Sequence, residues 1–469
     1  MTSDLLVRGG TVVGPAGARR ADVLVRAGAI VAVEPDLAVD GGSDLEVVDA
    51  GGAYVVPGGV DVHTHFALPV GAVTSADDFE SGTLAAACGG TTCVVDFAGA
   101  GREPWREALA TWHDRARGRA VVDYGFHLTV TELPDDLEVA TARFAELAER
   151  GVTSVKLYLA YPDRLMVDDD TLGRALAASR RTGVRVCVHA EDGARVEALV
   201  GEAIAAGRTG PEAIPAARPP TVEAESIRRA AALAGAAGAG LYVVHLSSAE
   251  GLEAVRAARA AGVDVHAETC PHYLYLDQSH LEAGEQDFVC APPLRGADDR
   301  EALWGALAPG DVEVVATDHC PFTIEDRRRG TGGTGWENFT QIPGGLSGVE
   351  TRLSLVYQGV VSGRLSLERW VDATAGAPAR LFGLDGAKGA IRPGLDADLV
   401  VFDPGATRSL DASGLHSRCD HSPYAGRVVT GWPALTLSRG EVVAADGEPV
   451  DPRPGRGRFV RRSRGPTAA

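Results

Sequence analysis

A (β/α)8 barrel with a small β-sandwich built from both termini is the fold this sequence predicts, on three observations. Through the middle of the chain, strand patterns alternate with Ala-rich helical patterns, which marks βα units around a parallel sheet. At both ends, short strands with Gly/Pro punctuation recur instead. Histidine, lysine and aspartate fall at matching ends of the central strand patterns, where a parallel barrel carries its active site.

Residues 5 to 55 read as strands at Leu5 to Arg8, Ala21 to Arg26, Ala29 to Val33 and Glu46 to Asp49. The same texture returns from Gly394 to Phe402, from Pro433 to Leu437 and from Glu441 to Val443, so one β-domain assembled around a central insertion is expected. Eight central strands are predicted at Val60–His65, Thr92–Phe97, Val121–Thr129, Ser154–Tyr158, Arg185–His189, Leu241–His245, Val263–Glu268 and Val312–Thr317. Helical patterns between them include Phe79–Ala87, Leu137–Arg150, Leu172–Thr182, Ala224–Ala236 and Leu252–Ala261. The expected division is therefore 1–56 and 381–452 for the sandwich, 57–380 for the barrel and 453–469 for a Pro/Gly/Arg-rich tail, mobile at its end or in contact with another subunit. A doubly wound open sheet is the alternative, but the Gly-rich phosphate fingerprint expected after its first strand is missing.

A chain of 469 residues can bury a large core. No apolar run approaches the roughly 18 residues of a membrane span, and Met1 to Gly10 lacks a basic region followed by an apolar core, so the cytoplasm is the default expectation. A formal net charge of −19 disfavours nucleic acid and anionic membrane as partners. Seven scattered cysteines fit reduced core thiols better than a disulfide framework, with Cys320 notable because it follows His319.

The chemistry starts at Pro57 to Phe66, PGGVDVHTHF. Side chains on a strand alternate faces, so His63 and His65 point the same way and form a metal clip. An isolated pair of this kind is ordinarily a surface feature; here Lys156, His189, His245 and Asp318 stand at the ends of other strand patterns. Only two of the 45 Lys plus Arg residues are lysines, Lys156 and Lys388, yet one is kept inside the buried pattern Ser154-Val155-Lys156-Leu157-Tyr158. A buried ammonium is costly unless paired, ligated or neutralised. Four histidines and one aspartate hold two metals only if another anion bridges them. A lysine carbamate, formed with carbon dioxide, offers one oxygen to each metal, where arginine could not. Imidazole and carboxylate ligands suit Zn²⁺, with Mn²⁺, Co²⁺ and Ni²⁺ as alternatives.

Taken in order, PGGVDVHTHF, DDFESGTLAAACGGTTCVVDF (77–97), GVTSVKLYLAY (151–161), VHAEDG (188–193), YVVHLSS (242–248), ETCPHYLYLD (268–277), CAPPLR (290–295), ATDHCPF (316–322) and GLDADLVVFDP (395–404) make the chain resemble the cyclic amidohydrolases, most closely the dihydropyrimidinase and hydantoinase branch, from about Val7 to Arg461. The resemblance implies that His63 and His65 bind a buried metal with Lys156 and Asp318, and that His189 and His245 bind a more exposed one with the other carbamate oxygen. It implies that Tyr161 stabilises the oxyanion and that main-chain groups at Ala291 and Gly344, where hydantoinases often carry Ser and Asn, hold the ring amides. The implied reaction is attack of a hydroxide bridging the two metals on a cyclic amide carbonyl, with Asp318 as proton carrier, giving an N-carbamoyl amino acid. A homotetramer is implied too. CPHYL, CAPP and SPYAGR (422–427) also suit allantoinase. Dihydropyrimidinase-like scaffold proteins share the fold but have lost metal ligands, whereas every ligand position here is filled. Phe66 and Leu68 follow the second histidine without a cation, which favours a neutral ring with a hydrophobic substituent over a carboxylate-bearing one.

Overall fold

Eight parallel strands run in chain order around a barrel: Gly59–Thr64, Thr91–Ala98, Asp123–Thr129, Ser154–Tyr158, Arg185–His189, Leu241–Val243, Val265–Thr269 and Val314–Val315. They belong to a computed structural model that describes residues 4–15, 17–39, 45–99 and 101–464. The second strand, TTCVVDFA, is buried at all eight positions, which its β-branched and apolar residues suit, because a parallel strand here is covered on both faces. Helices fill the crossovers, among them Phe79–Cys88, Asp169–Thr182 and Pro220–Ala237. Each of the first two starts where an aspartate, Asp78 or Asp168, accepts from first-turn N–H groups. The second ends at Gly183, whose φ of 72° suits a residue without a side chain. No helix among the described residues is long and apolar enough to cross a membrane.

The barrel closes where Thr64 bridges His319, with His65 N–H donating to the His319 carbonyl at 2.9 Å. Beneath that seam the buried Asp61 carboxylate accepts from Thr317 N–H (3.1 Å), Thr317 Oγ1 (2.6 Å) and His63 N–H (3.2 Å). The buried Arg352 guanidinium donates to the carbonyls of Val60, Val315 and Thr374 at 3.0–3.1 Å. First and last strands are thus joined by charge-assisted bonds, which sets the register of the histidine clip against the segment carrying Asp318.

Both termini build the sandwich. A four-stranded sheet runs Ala29–Glu34, Asp22–Arg26, Asp4–Arg8, Leu45–Asp49. A seven-stranded sheet interleaves C-terminal strands with N-terminal ones, pairing Leu399 with Pro57 and Val401 with Val55. Leu5, Val7, Val23 and Val25 of the first sheet share a core with Val55, Leu399, Val401 and Leu437 of the second. Each such side chain contributes roughly 1.5–3 kcal/mol on burial. The hairpin of Thr11–Gly14 and Gly17–Arg20 was not among the expected strands, since GARR carries no apolar alternation.

One expectation is corrected. The sixth and eighth strands stop at Val243 and Val315, short of His245 and Thr317, because the backbone turns into the left-handed region at His245 (φ 41°) and Asp318 (φ 48°). As far as Arg464 the tail packs against its own barrel. Val460 N–H donates to the Tyr124 carbonyl at 2.7 Å, Tyr124 N–H to the Arg458 carbonyl at 2.9 Å, and Phe459 stacks on Phe126 with ring centroids 5.6 Å apart. The last five residues, where a free end was expected, lie outside the described residues.

Candidate active site

The six residues singled out as metal ligands converge at the C-terminal ends of the strands. His63 Nε2 and His65 Nε2 lie 3.1 and 3.2 Å from Asp318 Oδ1, and the three side chains could hold one ion. Opposite them, His189 Nδ1 faces His245 Nε2 at 2.9 Å. Lys156 Nζ stands 3.2 Å from His63 Nε2, over the Phe97 ring at 4.2 Å and the Tyr158 ring at 4.9 Å. Strand pleating explains the first pair, since positions 63 and 65 share a face.

Glutamates orient the rings. Glu268, at the end of the seventh strand, accepts from His63 Nδ1, from Tyr242 Oη at 2.8 Å and from His245 N–H at 3.2 Å. Glu191 accepts from His189 Nε2 at 2.8 Å and is ion-paired with Arg218, whose Nε lies 3.0 Å from Glu191 Oε1. Each contact fixes a tautomer, leaving His63 Nε2 and His189 Nδ1 as lone pairs that point at the centre. His65 Nδ1 and His245 Nδ1 are buried without a hydrogen-bond partner.

The electrostatics follow from this arrangement. Burial and the Lys156 charge push the His63 pKa down, but the Asp318 and Glu268 carboxylates outweigh them and the net shift is upward. Burial takes His65 down to about 4 and lowers His189 and His245 as well. Burial opposes ionisation of Asp318, yet the His63 and His65 imidazoles hold its carboxyl well below the usual range. Burial lowers Lys156, which makes no ion pair with a carboxylate among the described residues, toward its neutral amine. Imidazole lone pairs packed against a carboxylate, beside a buried lysine amine, form a donor set that suits divalent ions.

These ends open into a cavity of about 400 Å³, within the range of small-molecule sites. Its wall includes Tyr161, Ala291 and Gly344 as well as the apolar side chains of Leu68, Leu165, Val200, Ile214, Phe339 and Ile342. Phe66 does not belong to this wall: it is fully buried, packed against Phe79 and His319. Tyr161 has a φ of 67°, held by three N–H groups that converge on its carbonyl. All seven cysteines are free; Cys290 and Cys320 border the cavity.

Sequence reasoning missed Glu268, Glu191 and Arg218. The two glutamates sat inside the quoted stretches ETCPHYLYLD and VHAEDG, two residues from a ligand in the case of Glu191, but no spacing rule distinguishes an orienting carboxylate from a core one. Arg218 had no local signal. It lines the cavity, and its charge is met by Glu191.

Residues 54–443 match the Amidohydrolase family. The chain is 42% identical over 464 residues to a D-hydantoinase of Geobacillus stearothermophilus, covering 98% of this chain and 96% of that one. It is 40% identical over 463 residues to a D-phenylhydantoinase of Escherichia coli O1:K1, covering 98% of both. The crystal structure of a dihydropyrimidinase from Brevibacillus agri NCHU1002 superposes with a TM-score of 0.94 at 40% identity and 99% coverage of both chains. Family members of this kind carry a divalent metal centre, and the converging donors fit one. With barrel, ligand cluster and full-length similarity in agreement, the chain belongs to the amidohydrolase family.

Proposed function

We propose that this enzyme opens the ring of 5-substituted hydantoins or dihydropyrimidines to N-carbamoyl amino acids. The observation that carries the reading is the cavity itself: metal-type donors on its floor, a phenol at its edge, and an apolar flank that suits a hydrophobic ring substituent.

His63, His65 and Asp318 would hold one ion and His189 and His245 a second, with a carboxylated Lys156 shared between them; zinc leads on donor chemistry. Bound there, the ions would polarise the ring carbonyl and make water nucleophilic at neutral pH. Burial favours the neutral amine of Lys156, the form that adds to carbon dioxide with loss of a proton. Asp318 accepts the proton of the attacking water and returns it to the departing ring nitrogen, so one C–N bond breaks and one C–O and one N–H bond form. Tyr161 donates its hydroxyl hydrogen to the developing oxyanion, and main-chain groups at Ala291 and Gly344 hold the ring amides. A homotetramer in the cytoplasm completes the reading; light scattering tests the assembly.

Specificity constants for a 5-substituted hydantoin, dihydrouracil, allantoin and dihydroorotate, measured on one metal-loaded preparation, test the substrate. The first two are expected to lead, allantoin to trail because of its polar arm, and dihydroorotate to be nearly inert because Arg218 is already paired with Glu191. A lead by allantoin or dihydroorotate overturns the substrate assignment.

A further inference from the structure

We propose that Arg218 is a positioning residue that aims the Tyr161 hydroxyl hydrogen into the cavity, a role that rests on the oxyanion function read for Tyr161 above. Arg218 Nη2 lies 3.2 Å from Tyr161 Oη, and the guanidinium carbon sits 5.3 Å from the centre of the Tyr161 ring. Guanidinium has only donors, so the phenol oxygen must be the acceptor of this bond, and its own hydrogen must point elsewhere. That hydrogen makes no hydrogen bond to a described residue, and Tyr161 lines the cavity.

Other motions of the phenol are already restrained. Arg164, Leu165 and Met166 N–H groups converge on the Tyr161 carbonyl at 3.0–3.3 Å, and the ring lies against His189 and Tyr158 with centroids 5.3 and 6.1 Å away. Rotation about the bond from ring to oxygen is the torsion left free. Arg218 restrains it from a fixed position, because Glu191 grips the guanidinium through Nε at 3.0 Å and through the same Nη2 whose second hydrogen reaches the phenol oxygen. Glu191 also receives His189 Nε2 at 2.8 Å, so one carboxylate ties the phenol's orienting group to a metal-type imidazole. A donor fixed before the reaction needs no reorganisation as charge develops on the substrate oxygen.

The test uses metal-loaded enzyme and reads kcat, KM and metal content. Glu191→Gln serves as the parent, so that removing Arg218 leaves no unpaired buried charge. In that parent, Arg218→Met is expected to lower kcat by about 10- to 100-fold with KM within about threefold and metal content unchanged. Placed on Tyr161→Phe, the same change is expected to cost less than about threefold more. Arg218→Lys, a donor-only cation, is expected to retain more turnover than Arg218→Gln, whose amide oxygen can capture the phenol hydrogen. Normal turnover in Tyr161→Phe overturns the oxyanion reading and this proposal with it. A large loss in Tyr161→Phe that Arg218→Met repeats in full overturns the positioning role alone, as does equal turnover of Arg218→Lys and Arg218→Gln.

Discussion

The two ends of the barrel each bury one of the only two lysines in the chain, and they treat it in opposite ways. At the C-terminal mouth Lys156 has an imidazole nitrogen at 3.2 Å and two aromatic faces around it, and burial drives its pKa down. At the base Lys388 has Asp123 Oδ2 at 2.7 Å and Asp396 Oδ2 and Asp398 Oδ2 at 2.8 Å, and these carboxylates overcome burial and drive its pKa up. Burial is nearly the same at both places, so the neighbours decide which protonation state the fold accepts. The base uses a permanent cation to join the start of the third barrel strand to the sandwich. The mouth disfavours the cation of its lysine.

The largest effect is expected from erasing that difference at the mouth. Lys156→Arg installs a permanent cation and removes the amine, and is expected to reduce kcat/KM by at least about 10³-fold with loss of bound metal, read by turnover and elemental analysis. Short carboxylic acids are expected to restore part of the activity to Lys156→Ala. Wild-type turnover in Lys156→Arg would show that the amine has no special part.

At the base, Lys388→Met leaves three carboxylates facing one another and is expected to cost about 3–5 kcal/mol in denaturant unfolding, with turnover per folded molecule preserved. The pH dependence has a definite sign. Because the folded pKa of Lys388 lies above its ordinary 10.5, its contribution is complete below pH 10.5 and is lost as pH rises toward the folded value. Wild-type stability is therefore expected to fall over that alkaline window, and Lys388→Met to lack this component of the fall. Identical alkaline profiles would remove the ion cluster from the account.

A smaller effect is expected at Glu268, which holds the His63 ring with its Nε2 toward the centre. Glu268→Gln is expected to weaken metal affinity by about 10- to 100-fold, measured by chelator competition, with the barrel intact by circular dichroism. The smallest is Lys388→Arg, which keeps the charge and is expected to cost about 1–2 kcal/mol without loss of turnover. Sensitivity to arginine at position 156 and tolerance of it at 388 would give the comparison its sharpest form.

Much of the fold was legible because its signals are local. The period of two in His63-Thr64-His65 follows from strand pleating, and the run TTCVVDF reads as a strand buried on both faces from its composition alone. Boundaries were less legible where function bends the chain: His245 and Asp318 take left-handed backbone conformations that end their strands early, and neither residue type announces this. The docking of residues 458–460 on the barrel was not legible because PRPGRGRFVRRSR is polar and Gly/Pro-rich, while that packing depends on Phe459 meeting Phe126 across more than three hundred residues.

The sequence by itself determined the barrel and the sandwich shared by both termini, and it singled out the six side chains that converge in the cavity, because strand alternation, helix periodicity and residue chemistry act within a few positions. Only the tertiary structure decided what each of those side chains faces. Glu268 reaches His63 across 205 positions, Arg218 reaches Tyr161 across 57, and Lys388 reaches Asp123 across 265. Contacts of that kind set tautomer, protonation state and hydroxyl direction through distances of a few ångströms, and closing the barrel is what brings those atoms together.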